Sequence, residues 1–78
     1  MKARNLNLYS TSHCHLCEQA ELILKDLNLT HLTTIEIAED GHLLELYGLR
    51  IPVLQRLDTK AELDWPFNSI EVISFLRY

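Results

Sequence analysis

Both cysteines of the chain fall in one short stretch, SHCHLCEQAELIL (Ser12 to Leu24), where an alternating pattern gives way to a helical one. That junction constrains the fold strongly, because a strand has to deliver the first cysteine to the entrance of a helix. Upstream, Leu6 and Leu8 alternate with Asn5, Asn7 and Tyr9, the period of two expected of a short strand. Ser10, Thr11 and Ser12 break the alternation. Downstream, Leu16, Ala20, Ile23, Leu24 and Leu27 recur every three or four residues and share one helix face. Glu18, Glu21, Lys25 and Asp26 take the other side, and Asn28 tolerates the left-handed conformation that ends many helices.

The rest of the chain continues the alternation of elements. LTTIEIA reads as a second strand, with Thr33, Ile35 and Ile37 on one face. Asp40 can cap a short helix carrying Leu43, Leu44 and Tyr47, and Gly48 is placed to stop it. IPVLQRL is a third strand beginning at Pro52, where a missing backbone donor does least harm. Asp58, Thr59 and Lys60 turn the chain into a fourth strand, AELDW. In the final helix Asn68 caps, Glu71 completes a capping-box variant, and Phe67 can staple onto Val72. The order is β-α-β-α-β-β-α. Helices between the first three strands imply parallel crossovers, and the tight turn before the fourth implies an antiparallel edge. The expected object is an α/β fold, a mixed four-stranded sheet covered by three helices.

Size and charge narrow the function classes. A chain of 78 residues makes one domain, spanning 1–78, with nearly half its residues apolar and no linker, repeat or low-complexity tract. Eleven acidic residues against seven basic give a net charge of −4, with no basic cluster, so a nucleic-acid partner is not expected. MKARNLNLYS lacks the apolar core of a secretory signal, and no apolar run approaches the ~18–20 residues that span a bilayer. A cytoplasmic monomer without membrane contact is the expectation. In that compartment a cysteine pair is more often catalytic or metal-binding than structural.

The chemistry of the pair follows from its place. Cys14 falls at the end of the loop after the first strand, and Cys17 one turn into the helix. Free N–H groups and the positive end of the helix dipole stabilise a thiolate at the entrance. Thiols placed this way have pKa values of roughly 3.5–7, against ~8.5 for a free cysteine. His13 and His15, when protonated, favour that thiolate further, and His15 occupies the dipeptide that can tune redox poise. His31 and His42 read as surface residues. A purely structural staple is disfavoured, since closing a loop of about four residues gains only ~2 kcal/mol on the chain-entropy model. A metal site is a weaker reading than redox chemistry. HCHLC crowds four ligands into a pentapeptide, there is no second C-x-x-C, and His31 and His42 are too far apart for an H-x-x-x-H turn.

Taken together, the cysteine pair opening a helix, the later proline starting a strand in GLRIPVL, the hairpin and the final helix resemble the thioredoxin fold, and the chain's brevity resembles glutaredoxins most. YSTSHCHLC, YGLRIPVL and LDWPF resemble a subgroup of small glutaredoxin-like proteins, largely uncharacterised and mostly bacterial, from about Leu6 to Leu76. The resemblance implies that Cys14 is the nucleophile and Cys17 the resolving thiol. It implies that Pro52 follows a cis peptide bond and that Ile51 presents its backbone to an extended substrate segment.

Departures from the family pattern bear on the substrate. Thr11 and Ser12 stand where typical glutaredoxins carry a lysine, Arg50 and Ile51 replace a threonine-valine pair, and LDWPF replaces the Gly-Gly and acidic residues that hold glutathione. Dependence on a typical glutathione site is therefore not expected, although Arg50 offers a replacement charge for a carboxylate. Trp65 reads as packing and Asp64 as a surface turn residue. The expected function is thiol–disulfide oxidoreduction with no bound cofactor, acting on a protein or small-molecule disulfide and recycled by an unidentified reductant. The alternative is a non-enzymatic module of the same fold that holds a metal or a protein partner.

Overall fold

The computed structural model describes residues 5–29 and 31–77. The two ends of the expected 1–78 domain, residues 1–4 and 78, lie outside the described residues, as does residue 30. The elements run β1 (Leu6–Ser10), α1 (His15–Asp26), β2 (Leu32–Glu36), α2 (Gly41–Tyr47), β3 (Val53–Arg56), β4 (Glu62–Asp64) and α3 (Ser69–Leu76). They form a four-stranded sheet in the order β2-β1-β3-β4.

The sheet is mixed, but not where the crossover argument put the reversal. β1 and β2 are parallel, with Leu6 opposite Leu32 and Ser10 opposite Glu36. β3 runs antiparallel to β1, Tyr9 opposite Val53 and Leu6 opposite Arg56, instead of parallel as expected. The length of α2 is the reason. Seven helical residues rise only ~10 Å, too little to carry the chain back to the start of a five-residue strand. The chain therefore enters β3 at the end of the sheet where β2 left it. β3 and β4 are antiparallel, as the turn implied, and Lys60 turns with a φ of 65°.

Both faces of the sheet are covered, which makes a three-layer arrangement. Leu6, Leu8 and Leu54 pack with Ala20 and Leu24 of α1, Phe67, and Val72 of α3. On the opposite face Tyr9 and Val53 pack with Ile37 and Tyr47 of α2. Tyr9, read from alternation as the outward partner of Leu8, is buried because α2 covers its side as well. Its ring stacks on Tyr47, centroids 4.0 Å apart. In α1 the buried positions are Cys17, Ala20 and Leu24, while Leu16 is 46% exposed. The apolar stripe is thus rotated from the one expected, and the second cysteine occupies it.

The ends of the helices follow their capping residues. Asp40 Oδ1 accepts the backbone N–H groups of His42 and Leu43 at 2.9 and 3.2 Å. Asn28 ends the α1 segment with a φ of 56°. Gly48 closes α2 in right-handed geometry, where a Cβ would stand 2.5 Å from the Leu44 carbonyl oxygen. At α3, Asn68 accepts from Glu71 N–H at 2.8 Å while Glu71 Oε1 accepts from Asn68 N–H at 3.1 Å, a complete capping box. Asn68→Ala is expected to lower stability by about 1 kcal/mol, read as a drop in the urea midpoint at constant slope.

Candidate functional site

The cysteine pair sits where the sheet gathers three chain segments at one end. β1 ends at Ser10, opposite Glu36 at the end of β2. Tyr9 faces Val53, so Pro52 enters the sheet at that same end. From Ser10 the chain passes through Thr11, Ser12 and His13, the last at a φ of 58°, and reaches Cys14. A left-handed conformation is uncommon for a non-glycine residue.

Cys14 is the N-cap of α1, in extended conformation, and its Sγ accepts the Cys17 N–H at 3.2 Å. One of the helix's otherwise orphaned donors therefore points at the first sulfur. The Cys14 and Cys17 sulfurs lie at disulfide distance, with their Cα atoms 5.2 Å apart. Cys14 is half-buried and Cys17 is 2% exposed. Cys14 is thus the more accessible of the two.

The flanking histidines are both exposed. His15 Nδ1 stands 3.7 Å from Glu18 Oε1, so its near partner is that carboxylate. His31 and His42 are exposed, as expected. Among the described residues no group of three or more His, Cys, Asp and Glu side chains is arranged to hold a metal ion.

Glu36, which the sequence did not single out, braces the loop before Cys14. Its Oε1 accepts the N–H and hydroxyl of Ser12 at 2.9 and 3.0 Å, and Oε2 accepts the Ala38 N–H at 3.0 Å. The Thr11 hydroxyl bonds to the same carboxylate, and with the other donors it holds the Glu36 carboxyl down at about 2.

Arg50 is engaged by the protein itself. Its Nε and Nη2 donate to the two Asp64 carboxylate oxygens at 3.0 and 2.8 Å, Nη2 also donates to Glu62 at 2.6 Å, and Nη1 reaches the Leu46 carbonyl at 3.3 Å. The guanidinium also lies 5.2 Å above the Tyr47 ring. Asp64 is accordingly no free turn residue. It ends β4, and its bonds from Arg50 keep its carboxyl below the usual range. Burial alone would raise Glu62, but hydrogen bonds from Tyr47 and Arg50 outweigh it and lower it. The Tyr47 hydroxyl donates to Glu62 at 2.6 Å, and burial together with that bond pushes its pKa up. This network ties the segment between α2 and β3 to the edge strand.

Ile51 and Pro52 complete the site. The peptide bond between them is cis, as is Trp65–Pro66. Ile51 is half-buried and donates its N–H to the Tyr47 carbonyl at 3.0 Å. Pro52 is buried, and its carbonyl accepts the Trp65 N–H at 3.1 Å. Trp65 packs edge-on against Phe67, centroids 5.0 Å apart.

The fold has counterparts among solved structures. The X-ray structure of protein XcR50 from X. campestris superposes with a TM-score of 0.85 at 38% identity, covering 91% of this chain and 93% of that one. The solution structure of protein Ne2328 from Nitrosomonas europaea gives a TM-score of 0.81 at 30% identity, covering 96% and 93%. No curated protein matches the chain. The family model described as Glutaredoxin-like domain (DUF836) matches residues 5–77, from just before β1 to just beyond α3. With a three-layer thioredoxin-like architecture and a C-x-x-C pair at its first helix entrance, the chain belongs to the glutaredoxin-like domain family.

Proposed function

We propose that the chain is a dithiol–disulfide oxidoreductase in which Cys14 attacks and Cys17 resolves. The observation that carries this reading is the geometry of the pair: a half-exposed first sulfur that caps a helix and accepts a backbone N–H, with a covered second sulfur within bonding reach. A helix entrance stabilises thiolate there, because the free N–H groups and the helix dipole favour negative charge. Exposed His13 and His15 add to that effect when protonated, though solvent screens it.

The reaction balances without a bound cofactor. Cys14 thiolate attacks one sulfur of a substrate disulfide, forming a mixed disulfide and releasing the other sulfur as a thiolate. Cys17 loses its proton and attacks Cys14 Sγ, releasing the second substrate thiolate and leaving the Cys14–Cys17 bond. The substrate gains two electrons and the pair loses two, and an external dithiol or thiol reductant returns them. A substrate strand docking beside Pro52 is met at Ile51 by the carbonyl side, since the N–H already bonds within the chain. Arg50, tied to Asp64 and Glu62, holds that segment in place and is poorly disposed to grip a glutathione carboxylate. The reading further places the protein in the cytoplasm, as a monomer acting on protein or small-molecule disulfides without a typical glutathione site.

A redox titration tests the proposal. The protein is equilibrated across glutathione or dithiothreitol buffers, free thiols are trapped by alkylation, and Cys14 and Cys17 are read by mass spectrometry. A single two-electron transition between roughly −180 and −270 mV is expected. Folded protein that forms no internal disulfide in any oxidising buffer would transfer the pair to a binding role.

A further inference from the structure

Glu36 takes no part in the thiol chemistry, yet its carboxylate collects donors from two segments at the sheet end that carries Cys14. The β1–β2 ladder stops at Ser10 opposite Glu36, and beyond it the chain has four residues in which to leave the sheet and start α1. One of them, His13, adopts the left-handed region at a φ of 58°, a conformation that non-glycine residues keep only where surrounding contacts hold it. Those contacts are at hand. Ser12 donates both its N–H and its hydroxyl to Glu36 Oε1, and the Thr11 hydroxyl bonds to the same carboxylate. Ala38 N–H, at 3.0 Å from Oε2, anchors the carboxylate to its own strand exit.

We infer that Glu36 is a positioning residue that fixes the Thr11–Ser12 segment, and through it Cys14, in the geometry that favours closure of the Cys14–Cys17 disulfide. This rests on the redox reading of the pair and adds to it a residue outside the C-x-x-C motif. Two effects of the carboxylate compete, its field and its bonds. The field is the weaker. Glu36 is exposed, and its charge is screened over a Debye length of about 8 Å at physiological salt. Hydrogen bonds to an ionised acceptor are roughly twice as strong as neutral ones, and three of them converge on two consecutive loop residues. Ordering the loop in advance raises the effective concentration of one sulfur at the other. Loosening it lowers that concentration.

The test compares wild type with Glu36→Gln, which preserves the size of the side chain and removes its charge. Each protein is equilibrated with glutathione redox buffers, in which glutathione disulfide oxidises the pair and two glutathione thiols are formed. The readout is the equilibrium constant for closing the Cys14–Cys17 bond. A roughly tenfold fall is expected in E36Q, equivalent to about 30 mV upward in potential. That fall should persist at about 1 M KCl, where the Debye length shrinks to about 3 Å. A folded E36Q variant with a constant within twofold of wild type overturns the assignment. So does a difference that vanishes at high salt, because it would belong to the field. Should E36Q fail to fold, Thr11→Val removes one donor from the same brace and is expected to lower the constant about threefold; an unchanged constant there also overturns the assignment. A wild-type pair that never closes removes the parent reading together with this one, whereas normal closure in wild type with no change in either variant removes this one alone.

Discussion

Replacing Cys14 by serine is expected to reduce disulfide exchange to the uncatalysed background, while replacing Cys17 by serine leaves the first attack intact and stops the second. The asymmetry follows from position. Cys14 caps α1, accepts the Cys17 N–H and is half-exposed, whereas Cys17 sits at 2% exposure in the buried stripe of α1. A serine hydroxyl at the cap accepts the same hydrogen bond but stays protonated near neutral pH, so the nucleophile is lost and the fold is kept. In Cys17→Ser the mixed disulfide has no internal route to resolution. Incubated with glutathione disulfide, that variant should accumulate a species heavier by one glutathionyl group, and Cys14→Ser should not. The measurement is an intact-mass spectrum under non-reducing conditions. Full exchange activity in the Cys14 variant would sink the assignment of roles.

The second large effect concerns stability and lies on the opposite end of the sheet. Arg56 is 2% exposed, yet its guanidinium is held on three sides. Nε and Nη2 donate to Asp58 at 3.0 and 2.7 Å, and Nη1 donates to the Phe75 carbonyl at 2.8 Å. Asp58 also accepts the Thr59 N–H at 2.8 Å, so the same carboxylate shapes the hairpin turn. Asp58→Ala strips the buried cation of its counter-charge and should cost about 3 kcal/mol, the lower end for broken buried pairs because Asp58 is half in solvent. For a domain of this length that corresponds to a fall of roughly 12–24 °C in Tm. Adding Arg56→Met removes the stranded charge, so the double variant should recover a good part of the loss. Thermal unfolding of both variants decides it. A double variant as unstable as the single would show that the cost lies in the turn, not in the buried cation.

The sequence carried the order of elements and the cysteine pair because both are local properties. Alternation in Leu6 to Tyr9, the cap at Asn68 and the turn at Lys60 are each set by neighbours in the chain. What it did not carry depends on which faces end up covered. Tyr9 and Leu8 point to opposite sides and both are buried, since β1 is central and helices lie on both faces. The direction of β3 depended on the reach of α2, which the pattern of types alone did not weigh. Arg56 continued the inward register of Leu54, but arginine is so rarely buried that alternation was a poor guide. The available signal was Asp58 two residues on, at the mouth of a hairpin. Glu36 was hidden for a different reason: its partners Thr11 and Ser12 are distant in sequence and become neighbours only through parallel pairing of β1 and β2.

That pairing also determines when the molecule becomes whole. β1 is made before the other three strands of this sheet, and it occupies an interior position of the finished sheet, between β2 and β3. Its link to β2 closes through the nearby α1 crossover, but pairing with its other neighbour joins Leu6 to Arg56, about two-thirds of the chain. During synthesis one side of β1 therefore stands as an open edge until the last third of the chain arrives, with Leu6 and Leu8 still awaiting Leu54 and Val72. A ribosome-bound fragment ending before β3 exposes a strand built for two partners and supplied with one. For this chain, the exposure of β1 to stray pairing belongs to the nascent state and is relieved when β3 docks, which leaves β2 and β4 as the edges.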